Sequence, residues 1–180
     1  MLQIEIPYQE FYNEVTGEFD SVNQCTLNLE HSLISLSKWE SKWKKPFMSE
    51  NGYTRAEIID YTRCMTLNQK VDPKVYTALK MADIKKIEEY ISDPHTATTI
   101  YDYRPNKGRS NDIITSEIIY YQMITLGIPF ECEKWHLNRL LTLIRVCAIK
   151  GTDSQMSMSD IYSQNKQIRA ASRKAAMNNR

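Results

Sequence analysis

The hydrophobic period of this chain changes once, at Ser32, and that change constrains the fold more than anything else in it. Before Ser32, Leu2, Ile4 and Ile6 alternate with polar residues, and Cys25, Leu27 and Leu29 do the same. A repeat of two buries one face of a strand. After Ser32, Leu33, Leu36, Trp39 and Trp43 recur at three or four residues, the repeat that paints a stripe on a helix. The remaining chain keeps that second repeat. Its 180 residues contain only five Gly and six Pro, too few for a turn-rich β-sandwich. The expected fold is mainly α with a small N-terminal β arm (α+β). Two or three short strands would form the arm, with Pro7 ending the first and Thr16-Gly17 marking a turn. So small a sheet is marginal alone and must dock on helices or on a neighbouring subunit.

Three segments follow: a β arm over 1–31, a helical core over 32–151, and a polar linker with a basic C-terminal helix over 152–180. Six to seven helices are expected, packed around the helix at 133–150. The first runs from Ser32 to Lys45 and stops at Pro46. Thr54 with Glu57 forms a capping box for a helix from Arg55 to Thr66. Asp72-Pro73 opens a short third helix, and Asp83 caps a fourth that Pro94 closes. Thr115 caps a fifth, which ends at Gly127 before Pro129. The sixth, 133–150, is apolar over more than half its girth and ends at Gly151. Trp39, Trp43, Trp135, Leu140 and Ile144 are the expected core anchors, since aromatic and aliphatic residues at this spacing form a buried stripe. The last helix, about 159–177, has little apolar surface and is expected to project or to pack on a partner.

Charge is ordered along the chain although the net charge is only +1. Met1 to Ser37 carries Glu5, Glu10, Glu14, Glu18, Asp20 and Glu30 and no base; Ile161 to Arg180 carries Lys166, Arg169, Arg173, Lys174 and Arg180 and no acid. Such asymmetry steers association with charged partners or between copies, so Lys166, Arg169, Arg173 and Lys174 are candidate partner-binding residues. The long irregular stretch 95–111 adds Tyr101, Tyr103, Arg104 and Arg109, aromatic and cationic groups of the kind that hold a single nucleic-acid strand. The balanced middle and acidic start offer no continuous electrostatic track, so nucleic acid is not the expected partner.

Chemistry-bearing patterns are sparse. No apolar run approaches the roughly 20 residues of a membrane span, and the start lacks a secretory pattern. The cysteines, at 25, 64, 132 and 147, have neither zinc-ribbon nor C-x-x-C spacing and are expected to be free thiols. Cys132 and His136 would share a helical face, half a metal site, with His31 and His95 far off in sequence. Glu30, His31 and Ser32 are adjacent, but neighbours point apart, and His31 is expected to bond a backbone group at the helix start. Neither a nucleophile elbow nor a phosphate loop is present. The expectation is therefore no enzyme, no metal and no cofactor.

The stretch Leu27–Phe47, LNLEHSLISLSKWESKWKKPF, resembles a family of small tail-region proteins of long-tailed bacteriophages. So do Cys64-Met65-Thr66-Leu67 with Val71-Asp72-Pro73, Ile113–Ile128, and most closely Ile128–Lys150, IPFECEKWHLNRLLTLIRVCAIK. The likeness runs in order over Met1–Lys150, and the basic, alanine-rich end also resembles the family's. Members carry a proline- and lysine-rich linker after the central helix, where this chain reads GTDSQMSMS over Gly151–Ser159. The resemblance implies a tail assembly chaperone: a non-enzymatic factor, acting in the host cell cytoplasm as a homo-oligomer, that binds the tape measure or tail-tube proteins. The alternative is a virion structural component, a connector or minor tail protein joining neighbours by strand addition. A single-stranded nucleic-acid binder is the third.

Overall fold

The structure, a computed structural model, describes residues 1–13, 17–48, 52–100 and 113–153. Four strands come first: β1 (Leu2–Ile6), β2 (Gln9–Asn13), β3 (Glu18–Val22) and β4 (Cys25–Leu29). Six α-helices follow among the described residues: α1 (Leu33–Trp43), α2 (Arg55–Met65), α3 (Lys74–Thr77), α4 (Met81–Ser92), α5 (Ser116–Thr125) and α6 (Leu137–Asp153). The chain is mainly helical with a small β part, as its periodicity predicts. The strands make two antiparallel ladders, one nested in the other: β1 pairs with β4 and β2 with β3. The polar, aromatic hairpin β2–β3 went beyond the two or three strands expected, because its alternation is not apolar and polar. In the outer ladder Ile4 faces Leu27 and Leu2 faces Leu29, and the buried side chains share one face.

That ladder docks on the helices. Thr66 bridges Leu29, and Asn68 offers its side-chain amide to the backbone, accepting from Asn28 N at 2.7 Å and donating to Thr26 O at 3.0 Å. Ile4, Ile6, Leu27 and Leu29 enter one core with Trp39 of α1, Tyr61 and Met65 of α2, Val75 and Tyr76 of α3, and Leu79 and Ile87. A second core joins Leu33 and Leu36 of α1 to Ile119 and Met123 of α5, Ile128, Cys132, and Leu137, Leu140 and Ile144 of α6. The element common to both is α1. Helix α6, which covers most of the helix expected at 133–150, contributes Leu137, Leu140 and Ile144 to the second core.

Helix limits follow local chemistry. Ser32 and Ser35 cap each other at the start of α1, and Lys44 turns left-handed (φ 54°) at its end. Thr54 and Glu57 form the capping box of α2. Asp72 Oδ1 accepts from Lys74 N at 2.9 Å. Gly127 takes φ 65°, with Ile128 N bonding Met123 O and Gly127 N bonding Ile124 O, the paired bonds that close a helix on a left-handed residue. Two limits differ from expectation. Asp83 does not start α4; its carboxylate reaches back to Lys80 N at 3.1 Å, which lets the helix begin at Met81. The sixth helix does not start at Glu133: Phe130–Lys134 is a 3-10 turn and Trp135 is extended, because His136 pairs with Ser32 before α6 begins. Gly151 does not end α6 either. It lacks the left-handed backbone of Gly127, and the helix continues to Asp153.

Candidate functional site

Of the expected core anchors, Trp39 and Leu140 are fully buried and Ile144 nearly so. Trp43 is half-buried, stacks on Trp39 and donates from Nε1 to Asp60 Oδ2 at 2.8 Å. Trp135 lies half-buried just before α6, packed against the second core, with the Arg139 guanidinium 4.2 Å above its ring. Tyr101, Tyr103, Arg104, Arg109, Lys166, Arg169, Arg173 and Lys174 lie outside the described residues, as does the helix expected at 159–177.

Among the described residues three acids are buried, and each is occupied by structure. Glu40 of α1 accepts from Phe47 N at 2.9 Å and, across 76 residues, from Ser116 N at 2.8 Å. It caps α5, where Thr115 makes no side-chain bond to the helix's backbone amides. Glu57 pairs with Lys45, and that bond, with the Thr54 amide, holds its carboxyl below the usual range. Asp60 is pushed up by burial, but bonds from Lys42 and Trp43 outweigh that and leave it lowered.

The structure also does what the sequence does not announce: it gathers all three histidines. His31 precedes α1, His136 precedes α6, and His95 follows α4. The rings of His31 and His136 lie 5.1 Å apart edge to face, and those of His136 and His95 lie 4.0 Å apart. Tyr90 packs against both His136 and His95 at about 5 Å (5.0 and 5.1 Å). The first two rings are brought together by backbone, since Leu137 N donates to His31 O at 2.7 Å. His95 is held from the other side by an Asx turn, its N–H donating to Asp93 Oδ1 at 2.7 Å, with a left-handed backbone (φ 48°). His31 bonds the Tyr61 hydroxyl through Nδ1 at 2.5 Å, not a backbone group as expected. His136 Nε2 donates to Tyr90 O at 3.0 Å, so its Nδ1 is the bare nitrogen; that atom is buried and meets no partner among the described residues.

Burial, with the neighbouring imidazoles of His136 and His95, pushes His31 down to about 3. Burial likewise lowers His136, partly offset by the Tyr90 carbonyl. Both rings sit at helix N-termini, where the helix dipole further disfavours a cation. The rings stack or meet edge to face; among the described residues, no group of three or more His, Cys, Asp or Glu side chains could hold a metal. The helical face expected for Cys132 and His136 does not form, because that stretch is a 3-10 turn and an extended link.

Beside His31 opens an apolar cavity of about 370 Å³, lined by Phe47, Tyr53, Tyr61, Ile87, Ile91 and Leu137, with Asn138 at its edge. Asn138 ties α6 to the end of α4, donating to Ile91 O at 2.9 Å and Asp93 O at 2.8 Å. Among the described residues, no helix is long and apolar enough to cross a membrane. No protein-family model, curated protein or solved structure matches the chain.

Proposed function

We propose that this chain is a non-enzymatic, chaperone-like factor of bacteriophage tail assembly, acting in the host cytoplasm and binding tape measure or tail-tube proteins. The reading rests on the family resemblance and on one observation, the outer side of α5. Apolar residues of this helix fall on more than one side: Ile119 and Met123 fill the second core, while Tyr121 and Ile124, three residues apart, are 67% and 63% exposed. Ile113 and Ile114 before the helix and Phe130 after it are exposed as well. Exposed apolar clusters of this kind mark surfaces for other proteins. A helical, apolar client segment is the natural occupant of such a face. The buried acids are spent on caps and ion pairs, which also favours a binding role over a catalytic one.

Co-expression with candidate tape measure and tail-tube proteins, followed by pull-down, tests the proposal. The wild type should retain a client, and Tyr121→Lys with Ile124→Lys should lose it. Retention of neither client overturns it. A virion component is the second reading, favoured by the hairpin β2–β3, whose paired Tyr12 and Phe19 are both exposed (56% and 75%). Abundance in purified particles selects that reading, since an assembly chaperone is absent from them.

A further inference from the structure

The histidine stack sits where the two cores meet. His31 belongs to the chain between β4 and α1, His136 to the start of α6, and Tyr90 and His95 to the end of α4. The stack, the Leu137–His31 backbone bond and Asn138 are together what fasten the start of α6 to α4 and α1. We propose that the three contacting imidazoles, one pair edge to face and the other tilted, form an acid-sensitive clasp that releases the start of α6 from α4 when the medium is acidified.

The bare Nδ1 of His136 carries the argument. A proton arriving there makes an N–H in a buried site with no acceptor among the described residues, on a ring 4.0 Å from His95 and 5.1 Å from His31. A second proton on the stack then sets two cations in contact at the positive ends of α1 and α6. The groups facing the stack are Tyr61 from α2, Tyr90 and Asp93 from α4, and Glu30 beside β4, with Glu88 across the cavity from His31. Glu30 already accepts from the Tyr90 hydroxyl at 2.7 Å and pairs with the Met1 amine at 3.0 Å, and Asp93 is bound to His95 N. Glu30 and Asp93 are therefore engaged; Asp93 Oδ1 also lies 3.9 Å from His95 Nε2, and both acids favour charge on His136, yet burial keeps His31 and His136 lowered. Both histidines take up protons more readily unfolded than folded. Their stabilisation is complete above the ordinary imidazole value of 6.5 and is lost as pH falls below it. His31 alone reduces the folded-to-open ratio about eightfold between pH 6 and pH 5, and His136 acts in the same direction.

Two measurements on the full chain test this. Ring-nitrogen NMR of the wild type from pH 8 to pH 4.5 should show His136 and His31 neutral well below the ordinary range, His136 with its proton on Nε2. Titration of both near 6.5 overturns the proposal. Hydrogen exchange should show the amides of Leu137 and Leu140 losing protection on acidification before those of α2. His136→Gln, which keeps a donor for Tyr90 O, should flatten the pH dependence of unfolding by about one proton. An unchanged slope, or uniform loss of protection across both cores, overturns the clasp. If the variant does not fold, the wild-type ring titration and exchange order decide.

Discussion

In the core that α1 shares with α2, α3 and α4, the large rings carry directional bonds. Trp39 donates to Glu57 O at 3.1 Å, Trp43 to Asp60, and Tyr76 to Thr66 at 2.9 Å, while Tyr61 is tied to His31. In the core it shares with α5 and α6, the fully buried side chains are aliphatic or methionine, and the helices are placed by polar links from elsewhere: Glu40 to Ser116, His31 to Leu137. Directional rings fix orientation from inside a core, whereas aliphatic packing leaves orientation to whatever grips the helix ends. The first half is thus closed on itself. The second is held by its ends, and the described residues leave one side of α5 exposed.

The sharpest way to break this contrast is to remove the ring at its centre. Trp39→Ala should cost about 3–5 kcal/mol, the range for a buried large ring, because it empties the first core and removes the indole bond to the Glu57 carbonyl. Trp135→Ala, with the ring half-buried outside a helix, should cost less than about 1 kcal/mol. Urea unfolding followed by circular dichroism measures both. Equal losses would show that the rings of the two halves do the same work.

Glu40 tests how the second half is held. Glu40→Ala leaves the amides of Phe47 and Ser116 without their acceptor and should destabilise by about 2–3 kcal/mol, with Glu40→Gln recovering part of it. Hydrogen exchange should localise the damage to α5. Damage spread evenly over α2 instead would mean that Glu40 supports α1 alone.

These particulars show which parts of the fold are legible without coordinates. The Thr54–Glu57 box, the Gly127 terminus and the alternation of β1 and β4 all act within a few residues, so their chemistry is written in adjacent letters. Glu40 reads as one more polar residue on the face of α1; its role depends on an amide 76 residues later. The histidines are the extreme case. Each sits just outside a helix, at a junction where the residue type is locally unconstrained, and only the pairing of Ser32 with His136 and the turn at Asp93 bring their rings together. The start of α6 fails for the same reason: helical periodicity through Trp135 is genuine, but a bridge to a distant residue overrides it.

Asn138 gives a smaller test of the same principle. It supplies both of its amide hydrogens to carbonyls at the end of α4, which Pro94 leaves without helical donors. Asn138→Ala should cost about 1–2 kcal/mol and loosen the α4–α6 junction without disturbing the first core. Asn138→Asp should be worse than Ala, since it sets a carboxylate against two carbonyl oxygens. Thermal unfolding of the three proteins orders them.

The smallest effect on stability should come from the surface that carries the proposed function. Tyr121 and Ile124 are more than 60% exposed (67% and 63%), so replacing either with Lys removes little buried area and should change stability by no more than about 0.5 kcal/mol. Any larger loss would mean that the outer side of α5 is already covered, for instance by a second copy, and the oligomeric state would then change with it. If stability holds and client retention falls, the contrast between the halves becomes a division of labour: one core keeps the molecule folded, and the other spends its spare apolar surface on a partner. Light scattering alongside the pull-down separates these outcomes, because loss of self-association lowers the mass whereas loss of a client does not.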